Sequence, residues 1–362
     1  MVNYEDIKSK YILRNIFKNL TQRKFLDIVH YNKQIKQKID ISLVDYILFS
    51  QIEIELKILP NSYNEKDKNK NIFINYSKEN EKYYHIYFNG DKQREMHRNY
   101  LNQEDNNISK INVVIDYKVT TLKELFKDCN CLEEINFIRF NRKNIIDISY
   151  MFSGCSSLVN ICLDQFQTTN VTKMNNMFYE CILLEEINLN KLDTSKVTDM
   201  SFLFYDCKKL SKLNISNLNT NNIIDMSCMF GGCTMLEEIN FSKRFNTNNV
   251  KNMSGMFLEC SQLKNLNLSD FNTNNITNME WMFYKCGNLT QLNLINFNTN
   301  NVIDMYSMFS GCNNLVTLII SNNFNTNNAK DVFNMFENCN DTLINKIKSE
   351  HSNIKYEAFL NK

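Results

Sequence analysis

From Phe126 onward the chain repeats one hydrophobic figure. Phenylalanine recurs at Phe126, Phe152, Phe178, Phe204, Phe230, Phe257, Phe283, Phe309 and Phe336. A cysteine follows each three residues later, from Cys129 to Cys339, at intervals of 26, 26, 26, 26, 27, 26, 26 and 27 residues. Leucine sits three residues beyond every one of these cysteines except Cys339, from Leu132 to Leu315. The two longer intervals each take one extra residue, near Arg244 and Asn323. Nine units in register are the signature of a solenoid, in which no unit covers its own apolar face and stacking covers them all.

A single unit predicts its own local structure. In Leu184-Glu-Glu-Ile187-Asn-Leu189 apolar and polar residues alternate, so Ile187 and Leu189 face inward and Asn188 outward, as in a short parallel strand. Val197, Met200, Leu203, Phe204, Cys207 and Leu210 follow at spacings of 3, 3, 1, 3 and 3, one face of a helix or helical turn. Thr220, Asn221 and Asn222, just ahead of that segment in the next unit, suit helix N-capping. The Asn-Thr-Asn-Asn runs supply side chains that bond turn backbone between coils. The expected fold class is an α/β repeat with units of about 26 residues.

The ends read differently. Residues 1–60 form an expected helical region, with Tyr11, Ile12, Ile16, Phe17 and Leu20, then Phe25, Leu26 and Val29, then Leu43, Val44, Ile47 and Leu48 at helical spacing. Residues 61–70 are a polar linker. Residues 71–118 are a β-rich N-terminal cap over the solenoid's first edge, with strand patterns at Ile72–Tyr76, Tyr83–Phe88 and Ile111–Val119 and a hairpin signal at Asn89-Gly90. The solenoid occupies 119–339, and 340–362 is the C-terminal cap.

The run Phe-Asn-Thr-Asn-Asn-Val/Ile-x-x-Met-x-x-Met-Phe-x-x-Cys-x-x-Leu-x-x-Leu-Asn-Leu has clear copies at Phe271–Leu294 and Phe297–Ile320. It resembles the BspA-like leucine-rich repeat family, including its mycoplasma-type branch of unknown function, over about Val119–Phe336. The resemblance implies a right-handed leucine-rich-repeat solenoid with strands on the concave side. It also implies relatives that are often surface adhesins binding host or matrix proteins. At the other end, residues 11–29, Tyr11-Ile-Leu-Arg-Asn-Ile16-Phe17-Lys-Asn-Leu20 followed by Phe25-Leu26-x-x-Val29, resemble an F-box. That resemblance implies docking to a ubiquitin-ligase scaffold, with the repeats selecting substrates. Read from spacing alone, the same segment is a helical cap or small helical domain.

Composition narrows the function classes. One proline and seven glycines exclude collagen-like and Pro/Gly-rich disordered chains. Lys+Arg 41 against Asp+Glu 40, a net charge of +1, gives no field to concentrate nucleic acid or anionic membrane. No stretch of eighteen apolar residues occurs, so no membrane span is expected. The start, Met1-Val-Asn-Tyr-Glu-Asp-Ile-Lys, lacks the pattern of a secretory leader. The expected localisation is cytoplasmic, with the cell surface as the alternative, and oligomeric state is left open.

Candidate chemistry is sparse. His30, His85, His97 and His351 lie outside the repeats, and no Ser/His/Asp or Cys/His grouping emerges. No catalytic residue or cofactor is expected, and an enzyme is the remote alternative. Cys129-Asn-Cys131 is the nearest cysteine pair, short of a zinc motif, so no metal is expected and the cysteine column reads as buried thiols without disulfides. Met174, Met226, Met253, Met279 and Met305 read as core.

The informative positions are the outward strand residues. One column is Glu134, Asn160, Glu186, Lys212, Glu238, Asn265, Gln291 and Thr317, and the next is Asn136, Cys162, Asn188, Asn214, Asn240, Asn267, Asn293 and Ile319. Glutamate pairs in every second unit make an intermittent acidic stripe. The expected function is a non-enzymatic protein–protein interaction module, an intracellular scaffold or substrate adaptor, holding a protein or peptide of basic character; a BspA-like adhesin is the alternative. Candidate contacts are Glu134, Glu186 and Glu238, with Asn188, Asn214 and Asn240 supplying hydrogen bonds. Trp281, at a position filled elsewhere by Tyr150, Phe202 and Ser307, is either a surface anchor or packs on a neighbouring coil.

Overall fold

A computed structural model describes residues 50–59, 71–241 and 244–360. The F-box-like segment 11–29, and with it most of the expected helical region and the polar linker, lies outside the described residues.

Six strands form the N-terminal sheet: β1 (Ile52–Ile58), β3 (Tyr84–Phe88), β4 (Glu95–Met96), β6 (Lys110–Ile115), β7 (Leu132–Phe140) and β8 (Asn160–Cys162), in the order β4-β3-β6-β1-β7-β8. Two short strands, β2 (Asn71–Ile72) and β5 (Tyr100–Leu101), pair separately. β1 corrects the expectation of helix up to residue 60. Ile52-Glu-Ile-Glu-Leu-Lys-Ile58 alternates with period two, and Ile52, Ile54, Leu56 and Ile58 are all buried. This strand joins two regimes: it runs antiparallel to β6 and β7, and β7 pairs in parallel with β8. Arg142 ties the junction together, donating to the carbonyls of Asp116 at 2.9 Å and of Val119.

Wherever neighbouring coils form paired strands the expected register holds, but residues 184–189 and 263–268, expected as strands, form none. Glu134 lies opposite Asn160; in β9 (Lys212–Asn214) and β10 (Glu238–Asn240), Lys212 lies opposite Glu238; in β11 (Gln291–Leu294) and β12 (Thr317–Ile320), Gln291 lies opposite Thr317. A second line of single bridges runs Asp147, Lys173, Asp199, Asp225, Asn252, Asn278, Asp304 and Asp331, one per coil.

The segment expected to be helical is not. Between Val197 and Leu210 the backbone makes tandem turns, with Leu203 N–H bonded to the Met200 carbonyl, Tyr205 to Phe202 and Cys207 to Phe204. The intervening donors leave the coil altogether: Met200, Phe202, Phe204 and Asp206 donate to the carbonyls of Asp225, Ser227, Met229 and Gly231 in the next one. An α-helix would bond every interior N–H to the carbonyl four residues back and leave none for the neighbour. A segment this short gains little from closing into an isolated helix, so the arrangement that also bonds the neighbour prevails. The i, i+3, i+4 apolar pattern is common to both.

Tandem turns require left-handed residues. Each coil carries two, five and one positions before its ladder cysteine, for example Phe202 (φ 55°) and Asp206 (φ 58°), or Trp281 (φ 56°) and Lys285 (φ 57°). Four of the seven glycines, Gly154, Gly232, Gly255 and Gly311, fall in these two columns.

Side-chain ladders complete the coil-to-coil bonding. Buried threonines staple neighbours: Thr194 Oγ1 donates to the Asn219 carbonyl at 2.9 Å and accepts its N–H at 2.8 Å, and Thr247 does the same with Asn272. Asn272, Asn298 and Asn325 pass side-chain amide bonds down the stack to Asn248, Asn274 and Asn300. The interior is a column of phenylalanines from Phe126 to Phe336, neighbouring rings 5.3–6.2 Å apart and nearly parallel.

Both ends of the ladder are closed. At the first coil, Asn75 donates its backbone N–H to the Leu125 carbonyl and its side-chain amide to the Lys127 carbonyl, the places a preceding coil would take. At the last, α1 (Asp341–Glu350), capped by Asn340, leads to a segment where Phe359 continues the phenylalanine stack at 5.3 Å. There Asn334 and Phe336 donate to Leu360 and Ala358, reversing the parallel order.

Because every column is indexed to the repeat, removing Cys181–Asp206, one 26-residue unit, should leave a cooperatively folding, soluble protein, whereas removing 13 residues of it should not. Thermal unfolding followed by circular dichroism checks this; equal behaviour of the two deletions would refute indexed stacking.

His85 in β3 supplies a pH dependence. Its Nδ1 lies 2.8 Å from Glu95 Oε1 and its Nε2 3.5 Å from Asp116 Oδ2. Burial pulls its pKa down, but the two carboxylates more than offset this and hold it above its ordinary value of 6.5. With the folded pKa above the unfolded one, the pair's contribution is complete below about pH 6.5 and is lost as pH rises through the folded value. His85→Gln should flatten that slope of the melting temperature between pH 5.5 and 8; an unchanged slope would contradict it.

Candidate partner-binding face

The outward columns of the strands present side chains that lie outside the buried core. Inward positions Ile135, Ile161, Leu213, Ile239, Leu292 and Leu318 are buried in the core, and their neighbours on either side alternate outward.

The predicted contacts separate on this surface. Glu186 and Glu238 are exposed, as are Asn188, Asn214 and Asn240. Glu134 is not a free carboxylate: Lys57 of β1 binds it at 2.6 Å and Glu133 at 3.3 Å. Lys264 bonds Glu237 at 3.4 Å, so Glu133, Glu134 and Glu237 meet the chain's own lysines, while Lys212 lies opposite Glu238 in strand register only. Trp281 lies elsewhere, on the turn side of the coil, 39% exposed with its ring edge-on to Tyr306 at 6.1 Å. It both packs on the next coil and reaches solvent.

The second column has a backbone duty that spacing alone does not reveal. The side-chain oxygens of Asn188, Asn214, Asn267 and Asn293 accept the backbone N–H two residues on, at 3.0–3.1 Å, turning the chain at the strand's end. Since each oxygen is engaged by a donor, each amide NH₂ points away from that turn.

A cleft of about 340 Å³ opens on this same face, in its C-terminal half. Its lining is the last three members of each outward column, Asn265, Gln291 and Thr317 with Asn267, Asn293 and Ile319, over a floor of Leu266 and Leu292. Leu266 is only half-buried, whereas its counterparts in the other coils are buried. The cleft contains no charged side chain. Sequence reasoning found these positions but favoured the glutamates of the first half; only the exposure of Leu266 marks the depression.

From Cys155 onward each ladder thiol donates to a phenylalanine carbonyl of the preceding coil, as Cys207 to Phe178 and Cys233 to Phe204, both at 3.1 Å, while Cys129 donates to Lys127 of its own coil. Burial pushes these thiols far up, the opposite of what a nucleophile or metal ligand needs. Among the described residues, no group of three or more His, Cys, Asp or Glu is placed to hold a metal ion, and no helix is long and apolar enough to cross a membrane.

A family described as Mycoplasma protein of unknown function, DUF285, matches the chain in four overlapping copies, over residues 91–183, 120–242, 181–291 and 234–350. The chain belongs to this family. Its DUF285 copies begin inside the N-terminal sheet and end in α1, so they take in every coil of the ladder. A search of curated proteins finds no match. Among solved structures, a leucine-rich repeat protein from Bacteroides ovatus ATCC 8483 is similar at 18% identity, over 58% of this chain and 67% of that one, with a TM-score of 0.32.

The thiol geometry makes a prediction. In the native protein only Cys162, Cys228 and Cys339, the partly exposed thiols, should react with iodoacetamide, the last two slowly at pH 7 because burial pushes Cys339 up to about 12, and burial with the Asp225 and Glu280 carboxylates pushes Cys228 up to about 11. After denaturation without reductant, all twelve should react. Mass spectrometry of labelled peptides reads both; rapid native labelling of Cys207 or Cys233 would contradict the ladder.

Proposed function

We propose that this DUF285 chain is a non-catalytic binding module that holds a protein partner on the strand-bearing face of its solenoid, acting as a scaffold or adaptor. The observation that carries this reading is the cleft itself: a depression on a surface whose outward side chains lie outside the buried core, set on a backbone bonded coil to coil. A rigid, repetitive surface loses little entropy on binding, which suits recognition. We take the coil as right-handed, following the rule for parallel strand crossovers, with about 26 residues per turn. Hydrogen-bonding thiols along the whole stack suit a reducing compartment, so we place the protein in the cytoplasm.

Within this reading Glu186 and Glu238, with Asn188, Asn214 and Asn240, extend the contact surface along the same outward columns, one to three coils before the cleft. Glu134 contributes through its ion pair with Lys57, and Trp281 stands apart on the turn side.

A photo-crosslinking residue placed at position 186, 238 or 291 should trap one partner in the native cell, while the same residue at 150 or 281 should not. The double variant Glu186→Lys/Glu238→Lys should lower recovery of that partner about tenfold without changing the melting temperature, since exposed charges contribute little to folding. Crosslinks from 150 and 281 alone would move the function to the turn side, and staining of intact cells would replace the adaptor role with adhesion.

A further inference from the structure

The cleft's donors and acceptors define a narrower ligand class, resting on the strand-face reading above. The oxygens of Asn267 and Asn293 are held by the N–H groups of Ser269 and Ile295, each at 3.1 Å. Their amide NH₂ groups are thereby oriented without help from a ligand, and what they offer is donation only. Gln291 and Thr317 lie on the adjoining column, and Leu266, Leu292 and Ile319 supply apolar surface between and beside them. No charge of either sign lines the space. A ligand that suits it carries repeated, uncharged acceptors and one apolar group small enough for about 340 Å³.

We propose that the cleft is a binding site for an extended, uncharged peptide segment, whose backbone carbonyls accept from the amides of Asn267 and Asn293 and which drops one apolar side chain onto Leu266 and Leu292. Same-side carbonyls of an extended chain recur about every 6.7 Å, whereas parallel neighbours in a sheet lie about 4.8 Å apart. A peptide meeting both asparagines therefore crosses the stack at about 45° to its axis, the angle at which 6.7 Å projects onto 4.8 Å. A carboxylate on the ligand would lose hydration with no cation to meet it, and a lysine or arginine would find no acid. Selectivity is for uncharged sequence, the reverse of the basic partner that the glutamates of the first half suggest.

The decisive substitution is Asn267→Asp/Asn293→Asp. Aspartate keeps the oxygen that accepts from Ser269 or Ile295, so the turns survive, but it deletes the NH₂ donor and sets a negative charge against the ligand's carbonyls. With the full chain, an array of acetylated, amidated octapeptides should show uncharged sequences holding one Leu, Ile, Val or Phe binding at least tenfold above matched peptides bearing Lys or Glu. The double variant should lose that binding at least tenfold with an unchanged melting temperature. Preference for charged peptides, binding only to uncharged oligosaccharides tested in parallel, or full binding by the double variant would each overturn the proposal. Should the crosslinked partner of the strand face be captured equally by wild type and double variant, the strand-face function stands and this peptide site does not.

Discussion

The division of backbone donors within each coil constrains everything else. From seven residues before the ladder cysteine, alternate N–H groups close a turn in their own coil and the others bond the next coil. Half of the donors thus define local shape and half define stacking, and neither set can shift by one residue without breaking the other. The phenylalanine column, the threonine staples and the thiol contacts lie in register because this division holds them there. The same lattice keeps the strands parallel on the opposite part of the coil, where the cleft lies.

The division has a cost in left-handed residues. Two per coil at about 1–2 kcal/mol each, where they are not glycine, amounts to about 2–4 kcal/mol. Four coil-to-coil backbone bonds at a net of about 0.5–1.5 kcal/mol each return about 2–6 kcal/mol. Burial of the phenylalanine, at about 1.5–3 kcal/mol, then decides the balance in favour of the coil. This explains why Glu180, Phe202 and Trp281 tolerate a backbone that most side chains avoid.

Period and register were legible in the primary structure because hydrophobic columns are one-dimensional: Phe, Cys and Leu recur in it as they do in space. The turn ladder was not, since Val197, Met200, Leu203, Phe204 and Cys207 satisfy a helix and a stack of turns equally. The distinguishing signal was the position of Gly154, Gly232, Gly255 and Gly311, with Asp147, Asp199, Asp225 and Asp304 seeding turns in a fixed column. At Ile52–Ile58 the period of two was present but was absorbed into a helical neighbourhood. The cleft and the Lys57–Glu134 pair depend on tertiary placement, and Leu266 carries no sequence mark that separates it from Leu213 or Leu292.

The closed ends of the ladder bear on what the molecule cannot become. A stack in which every coil offers its neighbour the same row of groups has no intrinsic stopping point, and two such molecules meeting end to end would continue one another into a filament. Asn75 occupies the carbonyls at one end with its own amides. At the other, Ala358 and Leu360 receive the last coil's donors in reversed order, while their own N–H groups turn back to Lys355 and Glu357. The terminal segments therefore occupy the backbone groups through which a further coil would add to the turn ladder.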